Sequence, residues 1–314
     1  MTALTDDITA SPPSRIASGL GLAVASSAAF GLSGPLAKSL LDAGWSAGAA
    51  VTGRILIAAA VLLIPGALAL RGRWILLKRN AGIILAYGAI AVAGCQLAFF
   101  NAVGYMPVGV AILIEFTSPV AVIGWMWLRH KQRPTRKTVG GTALAAVGLV
   151  LVLDLVAGAS IDPIGVLWAL GAMAGAAVYW IMSADEGNGL PPLTLAAAGL
   201  LCGGAILLLA GVVGIVPFVA NADDVLLAGL TMPWWLSILG LGVVTAALAY
   251  VCGIAAIRRL GSRLASFVGL TEVVSALLFA WLLLGETPRL IQVAGGALIL
   301  GGVIFVKLGE PKTV

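Results

Sequence analysis

Ten apolar runs follow one another along this chain, each close to the roughly 20 residues a helix needs to cross the hydrocarbon core of a bilayer. They lie at approximately 16–40, 46–70, 81–104, 107–128, 138–157, 163–183, 191–214, 232–257, 263–284 and 289–307. Turn chemistry separates them. Asp42-Ala43-Gly44 closes the first, Pro107 opens the fourth, Asp162-Pro163 the sixth, Pro191-Pro192 the seventh and Pro288 the tenth. Proline is tolerated in a first helical turn because the N–H it lacks would be unpaired there. A soluble fold fails on composition: 61% of residues are hydrophobic and only 10% charged, against about a quarter charged in soluble domains. The expected fold class is an all-α integral membrane protein of ten transmembrane helices, with the lipid bilayer around it.

The 41 glycines fit this reading, because small residues let membrane helices approach closely. Gly171 with Gly175 and Gly199 with Gly203 have a helix-packing spacing, although such pairs also recur by chance in so glycine-rich a chain. Cys95, Cys202 and Cys252 lie inside apolar runs without metal or redox spacing, so they read as small packing residues. With His130 the only histidine, no imidazole-based metal centre is expected, and no cofactor.

The net charge of +5 does not point to nucleic acid, since the bases sit in short loops where topology explains them. Lys and Arg concentrate in cytoplasmic loops. Arg71, Arg73, Lys78 and Arg79 follow the second run; Arg129, Lys131, Arg133, Arg136 and Lys137 the fourth; Arg258, Arg259 and Arg263 the eighth. Ten helices put all three loops on one side. The opposite loops hold Asp42, Asp162, Asp223, Asp224 and Glu286, with Arg289 the only base. Both termini are then cytoplasmic. One loop on that side, with Asp185 and Glu186 and no base, departs from the pattern, but acids weigh little in it. Residues 1–15 are expected as a disordered cytoplasmic tail rather than a cleavable signal, because the apolar run after them is too long for one. Residues 309–314 are a second tail.

Shifting the chain by 154 residues aligns runs three to five with runs eight to ten without a gap. Thr117 falls on Thr271, Trp127 on Trp281, Pro134 on Pro288, Gly141 on Gly295 and Gly148 on Gly302. The expected units are two five-helix repeats, 16–157 and 158–308. An odd number of crossings inserts the second copy upside down, the inverted repeat of many secondary transporters.

Charges at membrane depth are costly and are functional hypotheses by default. Arg54 and Glu115 each lie about eight residues into their runs from the outer side, roughly 12 Å deep at 1.5 Å per residue, and equal depth makes them a candidate pair. Gln96 falls in the same layer, and Glu272 reaches it from the inner side. Ser118 follows Glu115, and Ser275 follows Glu272, by three residues, so each pair should share a helix face. This layer reads as a central cavity in which Glu115 or Glu272 binds a substrate amine or exchanges protons. Alternatively, Arg54 and Glu115 only tie two helices together. Lys38, near the outer end of the first run, could snorkel to water or draw a substrate carboxylate to the outer mouth. Tyr87, Tyr179 and Tyr250 could hydrogen-bond substrate, but each sits near an inner helix end, where interfacial anchoring is the first reading. No Walker loop, HExxH or GxSxG motif is present, so those hydrolytic chemistries lack support and an enzyme is not expected.

The segment Leu113-Ile114-Glu115-Phe116-Thr117-Ser118-Pro119 resembles the fourth helix of EamA-type transporters of the drug/metabolite transporter superfamily, most of all the threonine/homoserine exporters. Leu36-Ala37-Lys38-Ser39-Leu40, Arg54, Ala177-Val178-Tyr179 and Leu284-Gly285-Glu286-Thr287 continue the resemblance in order across nearly the whole chain. One departure stands out: Glu272-Val273 occupies the place of the family's Glu-Pro, which puts the kink there in question. The resemblance implies ten helices, the inner membrane, and export of small amino acids or related metabolites, with protons the first candidate for the driving ion. Its partner is a small-molecule substrate. The competing readings are efflux of a drug, nucleoside or sugar derivative, and a non-transporting membrane protein.

Overall fold

The computed structural model describes residues 12–105, 108–131, 133–153, 162–285 and 287–309. Pro107, Glu286, most of both tails and the junction between 157 and 158 lie outside the described residues. Helices α1 (Pro12–Gly31) and α2 (Ser33–Asp42) form the first run, starting four residues earlier than the expected 16. Then come α3 (Ala47–Ala69), the short α4 (Ile75–Arg79) and α5 (Ala81–Ala86), which passes through a π-helical segment, Tyr87–Gly94, into α6 (Cys95–Tyr105). Next are α7 (Val108–Glu115), α8 (Ser118–His130), α9 (Arg136–Leu153), α10 (Pro163–Ala184) and α11 (Pro192–Val212). A hairpin of β1 (Val225–Leu227) and β2 (Leu230–Met232) leads to α12 (Trp234–Gly242). A second π-helical segment, Val243–Leu248, joins it to α13 (Ala249–Gly269), and α14 (Thr271–Leu284) and α15 (Leu290–Gly309) complete the fold.

Seven helical stretches among the described residues are long and apolar enough to cross a membrane, against ten apolar runs in the sequence. Large apolar side chains face outward along them, Val212 being 77% exposed and Leu167 70%. This is an all-α, multi-pass membrane protein. Two of the three missing spans have physical causes, and the third, α9, is described only in part. The fourth run breaks between α7 and α8, where Pro119 lacks the N–H that would bond the Glu115 carbonyl four residues back. Hydropathy runs unbroken from Trp234 to Gly269, but Gly261 at φ 78°, ψ 161° interrupts the helix there. What remains as α14 has 14 residues, too few to cross the hydrocarbon core alone. The described part of α9 stops at Leu153 after opening on Arg136 and Lys137.

Caps fall where the sequence places them. The Asp162 carboxylate accepts from the Ile164 N–H at 2.7 Å, with Pro163 opening α10. Ser46 caps α3 by accepting from Ala49 N at 3.2 Å, and the same hydroxyl donates to the Pro217 carbonyl. That second bond ties in a segment read from the sequence only as a loop. Its strands pair Val225 with Met232, and Ala228 N donates to the Leu283 carbonyl at 2.9 Å. Trp45 Nε1 donates to the Asn221 carbonyl at 3.0 Å, so this segment packs over the ends of α2 and α14.

Glycines set the closest helix approaches. A Cβ on Gly175 would lie 2.7 Å from the Cys95 Cβ, and one on Gly203 would meet the Val92 side chain at 2.5 Å. On α9, a Cβ at Gly141 would lie 2.7 Å from the Gly302 carbonyl oxygen, and one at Gly148 2.6 Å from that of Gly295. Rising numbers on α9 meet falling numbers on α15, so the two run antiparallel. The 154-residue shift carries Gly141 to Gly295 and Gly148 to Gly302, so it exchanges one of these contacts for the other. The same shift relates the two π-helical segments, carrying 89–94 onto Val243–Leu248.

Candidate functional site

Two broken helices frame the centre of the molecule. In the first, α7 gives way to α8 at Phe116–Thr117, and the Thr117 hydroxyl donates to the Ile114 carbonyl at 2.6 Å. In the second, α13 gives way to α14 at Leu270, and the Thr271 hydroxyl donates to the Val268 carbonyl at 2.7 Å. These positions correspond under the 154-residue shift. The second break survives the replacement of proline by Val273, whose N–H reaches back only three residues to the Leu270 carbonyl. The kink questioned from the sequence is therefore present. Glu115 ends the helix before the first break, while Ser118 and Glu272 lie in the first turns after the breaks.

The breaks border a cavity of about 780 Å³, within the range of small-molecule sites. Arg54 from α3, Gln96 from α6, Glu115, Ser118 and Glu272 all line it. Four segments distant in sequence thus deliver the polar layer to one place. The lining reaches half-exposed Leu41 at the α2–α3 end and stops among the buried Ala256 and Ala265 at the other. Beyond that closed end, Arg258 donates to the carbonyls of Ser183 and Leu190, and the Tyr87 and Ser183 hydroxyls lie 3.2 Å apart. Arg15 and Glu186 add an exposed ion pair at 3.7 Å.

The geometry corrects several expectations. Arg54 does not pair with Glu115: its Nη2 donates to the Thr245 carbonyl at 2.8 Å and its Cζ sits 5.7 Å from the centre of the Phe30 ring. Equal depth did not make equal facing. Glu115 instead meets the Cys95 thiol, 3.6 Å from its Oε1, and that thiol also lies 3.4 Å from the Ala172 carbonyl. Cys95 is a buried packing residue as expected, but one that touches the site. Ser275 is not part of the cavity lining; its hydroxyl donates to the Thr271 carbonyl at 3.0 Å and its Cβ packs against Gly31. Three residues along a helix turn it some 60° from Glu272, enough to face α1. Lys38 is also outside the lining, in an exposed i,i+4 pair with Asp42 at 3.0 Å.

Tyr179 and Tyr250, which the sequence places first at the membrane interface and only second beside substrate, are cavity residues. Both line the cavity, with ring centres 5.6 Å apart in edge-to-face contact, and Trp180 and Phe30 pack beside them. The signal was helix direction. Side chains tilt toward their helix's N-terminus, so tyrosines on α10 and α13 lean toward the cavity. Tyr87 lies on the oppositely directed α5–α6 rod; it leans away and is buried below the cavity. Among the described residues, no group of three or more His, Cys, Asp or Glu could hold a metal ion.

The EamA-like transporter family matches residues 17–154 and 163–308 of this chain. The threonine/homoserine exporters RhtA of Escherichia coli K12 and of Salmonella typhimurium LT2 are each 30% identical to it over 236 residues, 74% of this chain and 71% of theirs. A solved crystal structure of a protein aligns with a TM-score of 0.76 over 96% of this chain and 98% of its own, at 18% identity, a likeness of fold alone.

Proposed function

The chain belongs to the EamA-like transporter family, and on that premise we propose that it is a secondary transporter exporting small zwitterionic metabolites across the cytoplasmic membrane. Amino acids such as threonine or homoserine are the first candidates, since that is what the 30% identical relatives are named for. The observation that carries the reading is one cavity at membrane depth lined by a guanidinium, Arg54, and two carboxyls, Glu115 and Glu272. A zwitterion offers charge of both signs to such a site. Glu115 and Glu272 take the amine or exchange protons with the gradient that drives export, and Gln96 and Ser118 supply hydrogen bonds.

The architecture is ten crossings in two inverted five-helix repeats, 16–157 and 158–308. The antiparallel α9–α15 contacts that exchange under the repeat shift support it, as do the matched breaks at Thr117 and Thr271. Both termini are cytoplasmic in this reading, from the basic loops. The cavity then opens outward and the Arg258 end is the closed cytoplasmic gate. Rocking of the two repeats would alternate access.

Efflux of labelled threonine and homoserine from preloaded cells, with and without the protein, tests the proposal. Faster efflux with the protein is expected. A second reading, efflux of a larger drug, nucleoside or sugar derivative, draws on the cavity volume of about 780 Å³, roomier than threonine needs. Unchanged efflux of both amino acids would favour it.

A further inference from the structure

The floor of the cavity holds more donors than acceptors. A guanidinium carries five N–H donors and keeps its charge in proteins. Among the described residues that of Arg54 gives one hydrogen bond, to the Thr245 carbonyl, and its buried Nε has no partner. Phe30 covers one face, 5.7 Å from Cζ. Among the described residues no carboxylate comes within ion-pair distance of it. A cation at this depth is costly; Glu272, which also lines the cavity, offsets its charge only from beyond ion-pair distance. Tyr250 stands next to Arg54 on the shared Phe30 ring, and Tyr179 follows behind Tyr250. The Tyr179 hydroxyl is buried and has no partner among the described residues, although buried phenols usually find one. Gly253 makes room for it: a Cβ there would lie 2.5 Å from that oxygen. Tyr250 closes the floor between Phe30, at 5.5 Å, and Tyr179. The missing group is an acceptor with negative charge, and a planar carboxylate fits a guanidinium through two parallel bonds.

We propose that Arg54, Tyr179 and Tyr250 form a carboxylate subsite on the cavity floor, which orients the substrate with its acid group toward the closed end. The opposite pole, an ammonium, is left to Glu115 and Glu272. Only this second half of the assignment rests on the amino-acid reading above; the subsite itself takes any small carboxylate that enters.

Binding to the purified protein tests it, read by tryptophan fluorescence with Trp180 in the lining as a reporter. The probes are L-homoserine, 4-hydroxybutanoate (its acid without the amine) and 3-aminopropan-1-ol (its amine without the acid). The acid-only probe should bind within roughly tenfold of homoserine, and the amine-only probe at least about tenfold more weakly than homoserine. Arg54→Gln should erase the advantage of the acid, and Arg54→Lys should restore part of it. Tyr179→Phe and Tyr250→Phe should weaken the two acids severalfold and leave the amine unchanged. The wild-type series decides the matter even where a variant does not fold. An amine-only probe that binds as well as homoserine overturns the subsite, as does failure of both acids to bind. Carboxylate binding in a protein that exports neither threonine nor homoserine would sink the amino-acid reading and leave the subsite standing.

Discussion

The two broken helices share a scaffold and differ in chemistry. Each carries a threonine at the break, bonded to the carbonyl three residues back, at 2.6 Å in one and 2.7 Å in the other. The acids do not follow the repeat. Glu115 comes before its break and corresponds to Gly269; Glu272 comes after its break and corresponds to Ser118. Gly269 packs against Trp180, where a Cβ would come within 2.7 Å of the ring, so no carboxyl fits there. The 154-residue correspondence thus covers the frame and not the charges on it. Arg54, from α3, also lines the cavity.

The sharpest test of that difference moves an acid by the repeat operation. A Ser118→Glu, Glu272→Ser double variant keeps the carboxyl count but shifts one group to the corresponding position. Efflux should fall at least about tenfold, the scale of losing one charge-assisted contact; wild-type efflux would mean that acid position is immaterial. The shared scaffold predicts equality instead. Gly148→Leu and Gly302→Leu each drive a side chain into the α9–α15 crossing, where a single Cβ already comes within 2.6 to 2.8 Å of backbone. Both should cost about 1–3 kcal/mol, read as similar drops in thermal midpoint in detergent. Unequal drops would break the correspondence. Thr117→Val and Thr271→Val should each cost about 1 kcal/mol, again alike, by the same measurement. Smallest is Lys38→Ala, which removes an exposed pair with Asp42; stability should move by less than about 1 kcal/mol and efflux should not change.

Much of this was legible in the residues. Hydropathy and proline placement located the helical runs, and depth counting brought Arg54, Gln96, Glu115 and Glu272 to one layer, because rise per residue is constant. Rotation was not legible. It separated Arg54 from Glu115 and turned Ser275 to Gly31, since facing depends on how each helix is packed. The helix of Tyr250 runs on to Gly261, beyond the expected end at 257, so a residue counted as peripheral lies deeper. The π-helical segments left no mark in an apolar pattern, and the hairpin at 225–232 is held by contacts with distant Leu283 and α2.

The central claim is that carboxyls from both halves serve one export site. Counterflow of labelled homoserine in proteoliposomes carrying the wild type, Glu115→Gln or Glu272→Gln tests it most directly. The account predicts that each single substitution removes most of the transport while protein inserts normally. Wild-type counterflow by either variant would contradict a site shared between the halves.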